Sequence, residues 1–269
     1  MQSAKAPAAR PDLPAPRLPD CTRTALFLDL DGTLLDFAGH PDEVEVDPSL
    51  PSLLDRLARA FGGAMAPISG RSLCEVDSLL GRGHAAAAGL HGAQMRDADG
   101  VMLTGMTRLP AELAALLPRA QALAARLAGV FVEAKPNGIA LHYRRAPQLA
   151  DAVRAIAADL QQEAGPGIAL QAGNHVVELK PASSDKGAAV ATLMRSAPFA
   201  GRAPWVIGDD LTDEHAFERA LQLGGVGVIV GPRRPTAARY ALASPAATRA
   251  WLAALADHCA STAQAGDDT

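Results

Sequence analysis

The chain has 269 residues, 49% of them hydrophobic and 20% charged, which suits one large folded domain or two moderate ones. Its formal net charge is −4 and its lysines and arginines are scattered, so we expect no binding to nucleic acid. No apolar run approaches the length of about eighteen residues that a membrane-spanning helix requires, so we expect no membrane span.

A Pro- and Ala-rich lead-in precedes the first regular elements. Residues 1–20 lack hydrophobic periodicity and a continuous apolar run, which predicts a disordered segment rather than a signal peptide. Strands and helices then alternate, with strands at 24–30, 63–70 and 84–92 and helices at 51–62 and 71–81. This β-α-β-α-β order predicts a parallel sheet with helices on both faces.

The middle of the chain has a different pattern, typical of antiparallel strands. A hairpin is predicted over 94–105, with Asp99-Gly100 as its turn, and Pro136-Asn137 joins two strands. Pro118 should kink or divide the first of two helices. The remaining predicted elements are helices at 111–129 and 147–164 and strands at 130–135, 138–144, 167–173 and 175–181. Together they indicate an inserted α+β domain.

The alternation of helix and strand resumes after this insert. It places helices at 184–197, 212–222 and 245–259 and strands at 204–210 and 225–231. We therefore predict an α/β protein with a doubly wound, Rossmann-like core at 21–94 and 182–260. Residues 95–181 would form the inserted α+β cap domain, and residues 261–269 a disordered tail.

Charged and polar residues stand at four junctions of this predicted core. They are Asp29 and Asp31 after the first strand, Ser69-Gly70-Arg71 after the second, Lys186 at a helix start, and Asp209, Asp210 and Asp213 after the strand at 204–210. Ligands of open parallel sheets bind beyond the carboxyl ends of the strands. Each signal alone is more often a solvated loop or a helix cap, but four in order favour a common site.

The acidic residues of this set favour a magnesium site. Side chains two positions apart in an extended segment point the same way, so Asp29 and Asp31 share a face, and Asp209 should lie nearby. Such carboxylates repel one another unless a cation lies between them. Without a His or Cys cluster, an all-oxygen set suits Mg²⁺ rather than zinc.

The same residues could support phosphoryl transfer. One carboxylate could attack phosphorus and form an aspartyl-phosphate, while a second could move protons. A lysine and a metal ion would stabilise the phosphoryl oxygens, and a serine hydroxyl with loop amides would bind them. Gly32 permits close backbone approach, and Thr33 adds an amide and a hydroxyl.

The four segments "DLDGT", "ISGR", "SDKG" and "GDDLTDE" resemble the motifs of the haloacid dehalogenase-like phosphatase superfamily. The insert resembles the α/β cap of its C2 subclass. The resemblance implies Asp29 as nucleophile and Asp31 as general acid and base, with Ser69, Gly70, Thr33 and Lys186 around the phosphoryl group. It further implies that Asp29, the Asp31 carbonyl and Asp209 hold Mg²⁺, supported less directly by Asp213 and Asp210.

Three further segments are similar to the trehalose-6-phosphate phosphatases, and the similarity extends over roughly residues 22–258. They are "GLHGAQMR" (89–96), "VEAKPNGIALHYR" (132–144) and "VELKPASSDKG" (177–187). The family implies hydrolysis of trehalose 6-phosphate to trehalose and phosphate. The residues that would then contact substrate are Arg96, Glu133, Lys135, Asn137, His142, Arg144, Glu178 and Lys180. Spacing alone would favour a solvated strand face with cross-strand ion pairs.

Several alternatives stay open at this point. Another sugar phosphate, of the sucrose, mannosyl or glucosyl type, could be the substrate, and a phosphomutase or a non-catalytic sugar-phosphate sensor would use similar residues. His91 could orient the cap or satisfy loop backbone, and Arg71 could pair with a carboxylate or lie at the surface. Cys21, Cys74 and Cys259 show no CxxC spacing, which favours a reducing cytoplasm. Any trehalose-6-phosphate synthase coupled to this chain would be a separate protein.

Overall fold

A computed structural model describes residues 13–37, 44–81, 86–105, 108–182 and 184–267 of the chain. In these ranges the strands are β1 (Thr24–Leu28), β2 (Met65–Pro67), β3 (Ala87–Gly89), β4 (Gln94–Arg96), β5 (Met102–Gly105), β6 (Phe131–Lys135), β7 (Gly138–His142), β8 (Ile168–Gly173), β9 (Val176–Pro181), β10 (Ala203–Gly208), β11 (Val226–Val230) and β12 (Tyr240–Leu242). The helices are α1 (Leu50–Ala60), α2 (Leu73–Leu80), α3 (Ala111–Ala124), α4 (Ala150–Ala164), α5 (Lys186–Leu193), α6 (Leu211–Gln222) and α7 (Pro245–Asp267).

The core is a parallel sheet, as predicted. Its strand order within the described residues is β12-β11-β10-β1-β2, and every neighbouring pair is parallel. The short edge strand β12 was not predicted. Because β1 lies between β10 and β2, the loops that follow these three strands emerge side by side at one sheet edge.

Alternate residues of β1 pack against helices on opposite faces of the sheet, which explains its continuous apolar run. Leu26 and Leu28 join a buried cluster with residues of α1, α2 and α7. Ala25 and Phe27 join a second buried cluster with residues of α5 and α6. The core is therefore doubly wound, which confirms the predicted fold class.

The hairpin predicted over 94–105 lies at the edge of this core. Its strands β4 and β5 pair antiparallel, and β4 also pairs antiparallel with β3. Ala88 of β3 in turn bridges to Ile68, just beyond β2. By strand pairing, residues 94–105 thus join the core, and the predicted boundary at residue 95 moves to the segment before α3. Residues 84 and 85 of the predicted third strand lie outside the described ranges.

The cap is a four-stranded antiparallel sheet covered by two helices. The order among the described strands is β6-β7-β9-β8, with buried residues of α3, α4, β7 and β9 forming a separate core. Pro118 lies inside α3 without dividing it, contrary to one of the two predicted outcomes. Glu133, Lys135 and Glu178 stand on the face of this sheet that lines a cleft against the parallel core.

Residues 13–20 and 261–267, near the two ends of the chain, are more ordered than predicted. Within the lead-in, the Ala241 amide donates to the Pro14 carbonyl at 3.0 Å, and the Trp251 indole donates to the Pro16 carbonyl at 3.1 Å. These contacts fix residues 13–20 on the core, while residues 1–12 lie outside the described ranges. Helix α7 extends to Asp267, so most of the predicted tail is helical, and residues 268–269 are not described. In the described chain, no helix is long and apolar enough to span a membrane.

Candidate active site

The loops after β1 and β10 bring three carboxylates together. Asp29 follows β1 and Asp209 follows β10, and Asp213 lies in the first turn of α6. Oxygen atoms of the three side chains lie within 4.8 Å of one another. The parallel pairing of β1 with β10 explains this convergence, since both strands end at the same sheet edge.

Lys186 bridges two of these carboxylates. Its Nζ donates to Asp29 Oδ1 at 2.6 Å and to Asp213 Oδ1 at 2.7 Å, and all three side chains are buried. Burial alone would lower the pKa of Lys186, but Asp213 and Asp29 raise it above its ordinary value. An ammonium has three N–H groups, so one remains for a phosphoryl oxygen.

Gly32 and Thr33 complete the loop after β1. Gly32 has φ 83, and a Cβ atom there would lie 2.3 Å from Asp209 Oδ2, so any other residue would displace that carboxylate. The Thr33 hydroxyl donates to Asp29 Oδ2 at 3.1 Å. Together they hold Asp29 in place and leave room for Asp209.

Arg71 holds Asp31, the second acid of the β1 loop. Its Nε donates to Asp31 Oδ2 at 2.8 Å and its Nη2 donates to Asp31 Oδ1 at 2.7 Å. Such a two-point pair fixes the plane of the carboxylate. Arg71 follows Ser69, whose Oγ accepts the Arg71 amide at 3.1 Å. The structure therefore places Arg71 in the site, where it pairs with a carboxylate instead of lying at the surface.

A chain of polar contacts spans the cleft from the core to the cap. His91 lies in a 3-10 turn of the core, and its Nε2 is 3.1 Å from Glu178 Oε2 on β9. Lys135 on β6 donates to the other oxygen of Glu178 at 2.5 Å. Beside them, Glu133 Oε2 lies 2.8 Å from Nε2 of His142. The cap thus presents paired charges toward the carboxylates of the core.

A profile described as trehalose-phosphatase matches residues 27–246, which is most of the chain. The chain belongs to the trehalose-phosphatase family. A probable trehalose-phosphate phosphatase of Sinorhizobium fredii is 43% identical over 243 residues, covering 88% of this chain and 89% of the relative. A trehalose-6-phosphate phosphatase of Escherichia coli is 42% identical over 229 residues, covering 85% of each.

Solved structures agree on the fold of this trehalose-phosphatase family member. The C-terminal domain of a C. albicans trehalose-6-phosphate phosphatase superposes with a TM-score of 0.78 at 22% sequence identity. The superposition covers 91% of this chain and 98% of that domain. The predicted superfamily fold, a parallel-sheet core with an inserted cap, is thereby confirmed.

The charges of this trehalose-phosphatase site suit a divalent cation. Burial raises the pKa of Asp29 to about 7, although Lys186 opposes the shift. Burial and the charges of Asp29 and Asp213 raise the pKa of Asp209 to about 9. A cation among these oxygens would reverse both shifts, because it favours the ionised carboxylates. The donor set, oxygen alone, fits a hard ion of the Mg²⁺ class.

Burial and charge also set the state of the His91 and Glu178 pair. Burial lowers the pKa of His91 to about 4 despite the attraction of Glu178. Burial alone would raise the pKa of Glu178, but Lys135 and His91 hold it well below its usual range. His91 is therefore neutral and donates from Nε2 to an ionised Glu178, while its buried Nδ1 has no hydrogen-bond partner among the described residues.

The cleft gathers most of the residues predicted from sequence. Its lining includes Asp29, Asp31, Gly70, Glu133, Lys135, His142, Arg144, Glu178, Lys186, Asp209 and Asp210. Thr33, Ser69 and Asp213 lie directly behind this lining and bind its members. Asp213 Oδ2 accepts the amides of Asp209 and Asp210, both at 3.1 Å, so its oxygens orient the loop.

Three predicted substrate contacts lie outside the cleft. Arg96 forms a two-point ion pair with Asp77 on α2. The Asn137 amide, in the turn between β6 and β7, donates to the Leu90 carbonyl at 3.1 Å. Lys180 is buried and donates to the Ser184 carbonyl, and burial lowers its pKa to about 8.

Lys180 and Asn137 both lie where the cap meets the core, outside the cleft. Lys180 does share a strand face with Glu178, as the alternation predicted, but it stands two residues nearer the link to the core. There the cap sheet meets the core segment that leads into α5, and Lys180 binds that segment at the Ser184 carbonyl. Asn137 likewise fixes the end of the β6–β7 hairpin to the turn that carries His91.

The structure adds cleft residues that the sequence analysis did not single out. Phe131 stacks on His142 with ring centroids 4.5 Å apart, and Gln171 is the register partner of Glu178. The period of two from Glu133 could have found Phe131. Phe37 and Asn174 carried no such signal, because their position depends on how the cap sits on the core.

Proposed function

We propose that this chain hydrolyses trehalose 6-phosphate to trehalose and phosphate through an aspartyl-phosphate at Asp29. The observation that carries the proposal is a buried nucleophile, Asp29, facing a polar cap surface across one cleft. Family membership supplies the reaction class, and the names of the relatives support the substrate.

In the first step an Asp29 oxygen attacks phosphorus in line, and the bond from phosphorus to the sugar 6-oxygen breaks. Asp31 must be protonated at this stage; it gives that proton to the oxygen as it leaves and takes a proton back in the second step. To do so, Asp31 must turn from the Arg71 pair toward the substrate. Lys186 orients Asp29 and offers its third N–H to a phosphoryl oxygen.

In the second step water attacks phosphorus of the aspartyl-phosphate, and the bond to the Asp29 oxygen breaks. Asp31, now a carboxylate, takes the proton of the attacking water. The Ser69 hydroxyl and the amide of Gly70 would bind the phosphoryl oxygens that carry the charge. Phosphate leaves, and Asp29 is regenerated.

Asp29, Asp209 and the Asp31 carbonyl would hold Mg²⁺, with Asp213 orienting the loop. When bound, the ion would offset the charge of the carboxylates and of the phosphoryl oxygens. We expect chelation of divalent metal with EDTA to lower phosphate release by at least about 100-fold, and Mg²⁺ to restore it. A phosphate-release assay before and after readdition checks this, and full turnover in EDTA would contradict the metal site.

The cap would recognise the disaccharide through charge-assisted hydrogen bonds. Glu178 uses one lone pair on each oxygen for Lys135 and His91, which leaves acceptor capacity for sugar hydroxyls. Glu133 and His142 form a second polar pair on the same face, and Phe131 adds an aromatic surface. Arg144 also lines the cleft.

Two wider expectations belong to this proposal. All three cysteines are free, which supports function in a reducing compartment such as the cytoplasm. The substrate must come from an enzyme that joins two sugars and retains a phosphate, so we propose functional coupling to a separate synthase of trehalose 6-phosphate.

A further inference from the structure

Asp210 of the core contacts the tip of a cap hairpin. Its Oδ2 accepts the amide of Asn174, in the two-residue turn between β8 and β9, at 3.1 Å. Its Oδ1 accepts the Leu211 amide at 2.5 Å, where Asp210 caps the start of α6. The carboxylate of Asp210 thus accepts backbone amides of the core, at the start of α6, and a backbone amide of the cap.

This arrangement differs from the supporting role at the metal that the superfamily resemblance implied for Asp210. The group of carboxylates that could hold an ion consists of Asp29, Asp209 and Asp213 among the described residues. Arg233 contacts the carbonyls of Asp209 and Asp210 at 3.2 and 3.3 Å, which fixes the backbone of the loop from the other side.

The turn between β8 and β9 packs closely against Asp210. A Cβ atom on Gly173 would lie 3.2 Å from Asp210 Oδ2 and 2.8 Å from Val176 Cγ1, so a larger residue would push the turn away. The Asn174 carbonyl accepts Nη2 of Arg144 at 3.0 Å. Arg144 in turn stacks over the ring of Phe37, 4.6 Å from its centroid, in the core loop that follows Asp31.

We propose that Asp210 is a positioning residue that holds the cap over the active site by accepting the Asn174 amide. The proposal rests on the proposed function, because cap position affects turnover only if the cap recognises the substrate. Without this bond the free protein would spend less time with its cap in the binding-competent position. Substrate would then have to shift that equilibrium, which raises KM while leaving kcat at saturation little changed.

Two substitutions, one in the core and one in the cap, remove the hydrogen bond from the Asn174 amide to Asp210. Asp210→Asn keeps a good helix-capping residue, but asparagine has one acceptor oxygen and one NH₂ group where the carboxylate now accepts backbone amides on both of its oxygens. Asn174→Pro removes the donor itself. The left-handed residue of this turn is His175 at φ 60, whereas Asn174 is not among the residues of positive φ, so the negative φ of proline suits position 174. The Asn174 carbonyl stays available to Arg144.

We expect each variant to raise KM for trehalose 6-phosphate about 5- to 30-fold with kcat within about twofold of the wild type. The double variant should show no further increase, since both changes remove one interaction. The Mg²⁺ concentration for half-maximal activity should stay that of the wild type. Asp151→Asn, at an exposed cap carboxylate, is the matched control and should leave KM unchanged.

Small-angle X-ray scattering of the substrate-free variants gives a readout that does not depend on the substrate. Both should have a larger radius of gyration than the wild type, and this holds even if the wild type prefers another sugar phosphate. A shifted Mg²⁺ requirement in Asp210→Asn, with Asn174→Pro unaffected in KM, would assign Asp210 to the metal site and overturn the proposal. Additive rises in KM, or unchanged scattering in both variants, would also overturn it.

Discussion

Replacing Asp29 by asparagine should lower turnover of trehalose 6-phosphate by at least about 10⁴-fold, because the amide is not a nucleophile toward phosphorus. The substitution is nearly isosteric. Thr33 can still bind the side-chain oxygen, and Lys186 keeps its bond to Asp213. The loss should therefore reflect chemistry rather than a rearranged site. Single-turnover phosphate release, measured with excess enzyme, is the assay.

The fold of this variant should remain intact. Burial raises the pKa of Asp29 to about 7, so the native state without metal binds a proton there more tightly than the unfolded chain does. As pH rises from the unfolded pKa through the folded value, the wild type loses stability at this site, whereas the neutral asparagine does not. In metal-free buffer at alkaline pH, the variant should melt no lower than the wild type. Near-normal phosphate release would refute the assignment of Asp29 as nucleophile.

Replacing Glu178 by glutamine should reduce kcat/KM for trehalose 6-phosphate by about 30- to 150-fold. This corresponds to the loss of about 2–3 kcal/mol from charge-assisted hydrogen bonds to sugar hydroxyls. Glutamine is preferred to alanine here because Lys135 is buried and would otherwise lose its partner altogether. Steady-state kinetics with trehalose 6-phosphate provides the measurement.

The control for Glu178 is a substrate without a sugar. Turnover of p-nitrophenyl phosphate needs the core residues but no contact with the cap face, so it should stay within about threefold of the wild-type rate. An equal loss with both substrates would mean that Glu178 acts on the phosphoryl centre through His91 and the Ser69 loop, rather than on the sugar.

The core could be predicted well because its signals are local. Apolar runs of strand length at β1 and β10, followed at once by aspartates, require a buried parallel sheet with polar ends. The hairpin over 94–105 was also predicted, but its attachment to β3 was not, since strand pairing across a sheet depends on tertiary contacts. Residues 13–20 were predicted to be disordered because the contacts that hold them are also tertiary: Pro14 and Pro16 bind the distant residues Ala241 and Trp251.

The cap face was predictable in part. Alternation placed Glu133 with Lys135, and Glu178 with Lys180, on common faces, as the structure has them. The alternation does not indicate where along a strand the cleft ends. Lys180 was therefore expected in the site, although it binds the Ser184 carbonyl where the cap joins the core. His91 and Asp210 depend even more on how the cap sits on the core, because their partners lie on the other domain.

The most direct test of the central claim is phosphate release from a panel of sugar phosphates, with and without Mg²⁺. The panel should contain trehalose 6-phosphate and phosphates of the sucrose, mannosyl and glucosyl types. We predict a kcat/KM for trehalose 6-phosphate at least about 100-fold above any other member, because the cap would leave polar groups unpaired with the others. Equal or faster turnover of another member would contradict the assignment of trehalose 6-phosphate as the substrate. Calorimetric binding of trehalose 6-phosphate without phosphate release in Mg²⁺ would contradict the proposal that the protein is an enzyme.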